Sequence, residues 1–278
     1  MNANYINYLV AKKSSQNTIN TYTRAVDECL RWIGKEDSEI KTLDLINWMA
    51  NISNMSSASI ALKLSAVKSY FKFLKMMNVI SVNPAIDIEA PSIKNKEKHY
   101  MDSNDIKAML DNCRSIRDKA IILTYVSTGL RFSELQSITM NQWNNMIANH
   151  VNFIIIIGKG AKERNIYFNE QTMTAIKMYL FSRKIDSEWL FASLEGNQLA
   201  RQNVTHMLKT TAKRAGIAFS QDVSNHQMRA AFCTIAADNG VNIGVIRDMM
   251  GHSQLSTTSK YLKTSAKQKE MACNSMVF

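Results

Sequence analysis

The chain has 278 residues, 46% of them hydrophobic, and 34 Lys plus Arg against 23 Asp plus Glu, a formal net charge of +11. That much apolar material excludes a disordered tail and suffices for two domains or one large one, while the positive field disfavours acidic small substrates and favours a polyanion, nucleic acid first, over the plainer reading of a merely basic soluble protein. Cys29, Cys113, Cys233 and Cys273 have no paired spacing, so reduced, packed thiols without structural zinc are expected; with no leader and no stretch of membrane-spanning length to read, so is a cytoplasmic protein.

In chain order, Ser15-x-x-Thr18 opens a helical pattern through Tyr22, Val26, Cys29, Leu30 and Ile33 that Gly34 closes, and a shorter helix is predicted over about 43–50. Ser56 or Ser57 caps a long helix in which Ile60, Leu64, Val67, Phe71 and Leu74 recur at three- and four-residue steps, a core stripe. Lys68, Lys72 and Lys75 fall on another face of it, either as an ordinary solvated face or as a row of phosphate contacts. The only two prolines, Pro84 and Pro91, lead into the polar, aperiodic run 94–99, the best linker in the chain. Boundaries at 1–92, 93–100 and 101–278 follow, and residues 1–92 carry 10 Lys plus Arg against 8 Asp plus Glu, the remainder 24 against 15. A small, nearly neutral helical domain is thus expected beside a larger basic one.

The second domain opens with Asp102 or Ser103 as a helix cap. An apolar helix over about 117–127 runs into Thr128-Gly129-Leu130-Arg131-Phe132-Ser133-Glu134-Leu135, where Gly129 breaks the helix and leaves Arg131 at a junction, as a structural partner for Glu134 or as a fixed anion ligand. The β-branched run 151–157 and the segment 162–168 are predicted as two strands of a hairpin, with Lys159 and Lys162 in its Gly-rich turn. Helices are predicted over about 170–183 and 203–215. A further capped helix places His226 and Arg229 three apart on one face and ends at Asn239-Gly240. Another helix, over 241–250, ends at Gly251-His252, and a last one over 255–264 carries Tyr261.

These residues resemble a known signature. Arg131 in Thr-Gly-Leu-Arg-x-x-Glu-Leu, Lys159 in Gly-Lys-Gly-x-Lys-x-Arg, His226-x-x-Arg229, Gly251-His252 and Tyr261 nine positions later look like the tyrosine recombinase, or phage integrase, family in order and spacing. The N-terminal part is similar to that family's core-binding domain. One departure is Ala230, where many relatives carry a second histidine after the arginine.

The resemblance implies a mainly α protein with a small β-sheet. It would be a two-domain, C-shaped DNA clamp with a helical SAM-like core-binding domain and a mixed α/β catalytic domain. It also implies that the Tyr261 hydroxyl attacks a scissile phosphate to give a 3′-phosphotyrosyl link and a free 5′-hydroxyl, without ATP, metal or other cofactor. Arg131 and Arg229 would clamp the phosphate oxygens, which suits guanidinium forks. Lys159, with Lys162 as its rival, would protonate the leaving oxygen; His226 would serve as acid/base, and His252 would add a hydrogen bond. A free phenol has a pKa of about 10, so Tyr261 needs a base or a cationic site to react. Glu134 would brace Arg131 or His226, and Lys68, Lys72, Lys75, Lys162 and Arg164 would contact DNA. The expected partners are double-stranded DNA with a specific core site, without long arm sites, and further copies of the chain. These would form a tetramer on two sites that exchanges strands through a Holliday junction, alone or with a second recombinase. A type IB topoisomerase-like enzyme and a catalytically silent DNA-binding relative are the alternatives.

Overall fold

Four helices make up the described part of the first of two units, Met1–Glu97 and Lys98–Phe278, into which the chain divides; the computed structural model describes residues 3–93, 99–158 and 163–251. The four are α1 (Ala3–Ala11), α2 (Gln16–Ile33), α3 (Thr42–Asn51) and α4 (Ser57–Met76). The Ser15 hydroxyl accepts from the Thr18 amide to start α2, and Gly34, at φ 66°, returns its amide to the Leu30 carbonyl to end it. Ser56 caps α4 in the same way, accepting from Ser59. The predicted stripe on α4 is the core of this unit: Leu64, Val67, Phe71 and Leu74 are buried against Val26 and Cys29 of α2 and Leu45 and Trp48 of α3. Each such side chain contributes about 1.5–3 kcal/mol on burial. Lys72 and Lys75 lie on the exposed face of α4, and the half-buried Lys68 donates to the Ile86 carbonyl at 3.1 Å.

The second unit is built around α6. Its described elements are α5 (Ser103–Asp111), α6 (Ile116–Thr128), α7 (Phe132–Gln136), α8 (Met140–Ala148), β1 (Phe153–Ile157), β2 (Glu163–Tyr167), α9 (Glu170–Ser182), α10 (Arg201–Arg214), α11 (Asn225–Asp238) and α12 (Ile243–Met250). Helix α6 is apolar nearly all round, the signature of a helix buried on every side. Its residues 120–125 are all buried, with α9 and α11 packed against it. Strands β1 and β2 pair antiparallel in the register Phe153↔Tyr167 to Ile157↔Glu163. Ile154, Ile156 and Ile166 point into the core, and Ile155 and Ile157 are exposed, so the continuous apolar run has one buried face. A smaller cluster of Phe232, Cys233, Ile246 and Met250 joins α11 to α12.

The observed elements differ from the sequence reading in two places. Helices α1 and α8 are additions, each anchored by a pair of buried residues, Tyr5 with Leu9 and Trp143 with Met146. Cys29 and Cys233 are buried free thiols and Cys113 is half-buried and free. Among the described residues no helix is long and apolar enough to cross a membrane. The helix expected over 255–264 lies outside the described residues, as does Cys273.

Candidate active site

Gly129 organises the site. It ends α6 at φ 62°, a left-handed conformation that favours glycine. A Cβ at this position would stand 2.5 Å from the Phe232 ring, so the close approach of α6 to α11 also requires a bare backbone. The next two residues turn the chain into α7. Leu130 is buried, and Arg131 is the N-cap, donating its amide to Glu134 Oε2 at 2.7 Å while its own Nη1 reaches Glu134 Oε1 at 2.9 Å.

Glu134 is only 5% exposed and is the hub of an ionic lattice. From β2, Arg164 forks onto both of its oxygens, Nη1 to Oε1 at 2.9 Å and Nη2 to Oε2 at 2.7 Å. Burial pushes the Glu134 carboxyl up, but the Arg164 fork and the Arg131 amide and guanidinium outweigh it and hold the group below the ordinary carboxylate range. The carboxylate is therefore charged at neutral pH.

Across the site, α11 contributes Arg229, 3% exposed. One of its nitrogens donates to the Gly129 carbonyl and the other to the Met250 carbonyl at 2.5 Å. Burial, with Arg131 beside it, lowers its pKa to about 10, which leaves the guanidinium charged at neutral pH. The first turn of α11 is fixed by Asn225, whose Oδ1 accepts from the Tyr125 hydroxyl at 2.7 Å and whose Nδ2 donates to Thr205 Oγ1 at 2.8 Å. His226 follows directly, exposed and one turn before Arg229.

The two sides meet at the end of α12. Three successive carbonyls there each accept from a different arginine: Met249 from Arg164 Nε at 3.1 Å, Met250 from Arg229, and Gly251 from Arg131 Nη2 at 3.4 Å. A helix C-terminus carries unsatisfied carbonyls and a partial negative charge, so it draws cations. The effect is to gather guanidiniums from α7, β2 and α11 around the backbone immediately before His252.

The structure thus brings together Arg131, Glu134 and Arg229, with His226 one turn from Arg229 on α11. Lys159, Lys162, His252 and Tyr261 lie outside the described residues; β1 and β2 are paired out to Ile157↔Glu163, so residues 158–162 connect them. Arg164, read from the sequence as a DNA contact, instead has its guanidinium turned inward, 11% exposed, and bonded to Glu134 and Met249. Its place two residues before the buried Ile166 on a strand was the available signal. The anchoring by Asn225 and Tyr125 and the Gly129 and Met250 carbonyls had no sequence signal, because each is a contact between elements distant in the chain.

Residues 99–268 match the model of the phage integrase family, and residues 3–78 match that of the phage integrase N-terminal SAM-like domain. The chain is 30% identical to tyrosine recombinase XerD of Rickettsia bellii over 280 residues, 92% of each chain. It is 28% identical to tyrosine recombinase XerC of Leptospira interrogans over 278 residues, 94% of this chain and 88% of the relative. Among solved structures, a lambda integrase dimer bound to a COC′ core site aligns at a TM-score of 0.76 with 16% identity, covering 95% of this chain and 94% of that one. XerH recombinase bound to palindromic difH aligns at 0.73 with 18% identity, covering 95% and 81%. At these identities the two structures speak to the fold.

Proposed function

The chain belongs to the phage integrase family, and from that premise we propose that it is a site-specific DNA recombinase that cleaves and rejoins duplex DNA through a phosphotyrosyl intermediate. The observation that carries this reading is the convergence of Arg131 and Arg229 on the successive carbonyls of Gly251 and Met250. Two charged guanidiniums are thereby fixed in advance on the backbone that leads in sequence into His252, itself nine residues before Tyr261.

In the proposed reaction the Tyr261 oxygen attacks phosphorus in line. The P–O bond to the 5′-oxygen breaks, and the 5′-oxygen takes a proton from Lys159. The non-bridging oxygens gain negative charge on the way, and Arg131 and Arg229, already oriented, stabilise it without reorganising; that pre-organisation is where electrostatic catalysis gains most. His226 accepts the phenol proton, and His252 adds a hydrogen bond to a phosphate oxygen. The phosphotyrosyl bond retains the energy of the phosphodiester, so a 5′-hydroxyl from another duplex reverses the attack and completes a strand exchange. Four copies acting on two core sites in the cytoplasm would exchange strands in pairs through a Holliday junction. Lys72 and Lys75 on α4 serve as phosphate contacts, whose contribution weakens as salt rises.

The test is a supercoiled plasmid carrying two directly repeated copies of a DNA site selected by the protein from a random library. Deletion circles that need both sites and vanish with Tyr261→Phe are expected. Relaxation of plasmids irrespective of the site would mark a topoisomerase, and binding without any strand breakage a silent DNA-binding protein.

A further inference from the structure

Of the three arginines at the end of α12, Arg164 lies outside the set read as clamping phosphate, yet its side chain makes three hydrogen bonds. It touches two elements besides its own: α7 through both oxygens of Glu134, and α12 through the Met249 carbonyl. Gly251 is fitted around it, since a Cβ there would stand 3.1 Å from Arg164 Nη1, with the backbone at φ 62°. Arg164 is also the second residue of β2, two positions beyond the turn that holds Lys159 and Lys162.

We propose that Arg164 is a positioning residue of this site: by fixing Glu134 it fixes the Arg131 guanidinium, and by holding Met249 it ties the base of the lysine-bearing hairpin to the segment entering His252. The proposal rests on the recombinase reading above. It follows from how the pieces are connected. Arg131 is 30% exposed and is oriented on its inner side by Glu134. Glu134 has two oxygens, and Arg164 bonds to both, so the carboxylate cannot rotate without breaking a bidentate pair. A lysine would supply the charge as a single point and could not reproduce two parallel bonds plus a third to Met249. A displaced Arg131 would still attract DNA but would meet the phosphate out of register, and misplacement of about 1 Å costs on the order of 100-fold in rate.

Arg164 acting on phosphate directly would leave a different trace. Each lysine or arginine on a phosphate adds about one to the slope of log affinity against log salt; a positioning residue adds nothing to it. The pH profile separates the roles as well. Glu134 faces Arg131 from the start of its own helix, Arg164 from β2 and Arg229 from α11. Loosening the Arg164 fork lets burial raise the carboxyl, so the acid limb of cleavage should move to higher pH.

The experiment is single-turnover formation of the DNA-linked protein at saturating enzyme, comparing wild type with Arg164→Lys on the same selected site, together with the salt dependence of binding. Arg164→Lys is expected to cut the cleavage rate constant about 10- to 100-fold. Affinity and salt slope should stay as in wild type, and the acid limb should shift upward. Unfolded protein lowers the amplitude of the reaction and leaves the rate constant of the folded fraction alone, so loss of fold does not imitate this result. A wild-type rate constant in the variant, or a smaller salt slope with weakened binding, overturns the assignment while leaving the recombinase reading intact. A wild-type protein that binds the site and forms no Tyr261-dependent adduct overturns both.

Discussion

The two sides of the site hold their arginines by opposite means. On the α7 and β2 side, Arg131 and Arg164 share one buried carboxylate; on the α11 side, the described bonds of Arg229 go to neutral carbonyls, and Asn225 is fixed by a phenol and a hydroxyl. Burial pushes Tyr125 well above the usual phenol range, so that hydroxyl remains a donor at neutral and acid pH. One side is an ionic lattice that protonation can dissolve, while the described hydrogen bonds of the other rest on neutral partners that acid leaves in place. The division separates what acid should damage first from what only a change of shape will disturb.

The largest effect expected is from breaking the ionic side at its hub. Glu134→Gln leaves Arg164 buried without its counter-charge and should cost about 3–5 kcal/mol, read as a lower urea midpoint at pH 7. The carboxyl sits below its ordinary value when folded, so its contribution is complete above the unfolded pKa of about 4.3 and declines as pH falls below it. The gap between wild type and Glu134→Gln should therefore narrow in acid; a constant gap down to pH 3 would show that Glu134 is not the titrating hub. On the neutral side, Asn225→Ala removes both bridges from the first turn of α11 and should cost about 1–3 kcal/mol. It should also slow strand cleavage with no change in the acid limb of its pH profile, so an acid limb displaced by this substitution would erase the contrast between the two sides. The smallest effect belongs outside both. Lys72→Ala with Lys75→Ala on the exposed face of α4 should leave stability within about 0.5 kcal/mol while lowering the salt slope of DNA binding by about one per lysine, measured by titration at several ionic strengths.

Much of this was written in local sequence. Ser15, Ser56, Asp102 and Gly129 are caps that act within a turn of their own positions; Ser15 and Gly129 were readable outright, Ser56 and Asp102 each as one of two neighbouring candidates. So was the stripe of α4, since helical periodicity reports burial directly. Order and spacing singled out Arg131, Glu134 and Arg229, which the fold gathers at one place, while their roles are a matter for the experiments above. Helix α8 was not readable, because Asn141, Asn144 and Asn145 give it the composition of a loop and only Trp143 and Met146 are fully buried. Nor was the inward turn of Arg164: a cation in a short exposed hairpin looks like a surface residue until the carboxylate it meets, thirty positions earlier, is placed beside it.

The most direct test of the central claim is to incubate the protein with a nicked duplex carrying its selected site and map the adduct. A DNA-linked band on a denaturing gel whose cross-linked peptide contains Tyr261, absent with Tyr261→Phe and strongly reduced with Arg229→Gln, is the expected result. A band that persists in Tyr261→Phe, or wild-type adduct formation by Arg229→Gln, would contradict a tyrosine nucleophile acting on a phosphate held by these arginines.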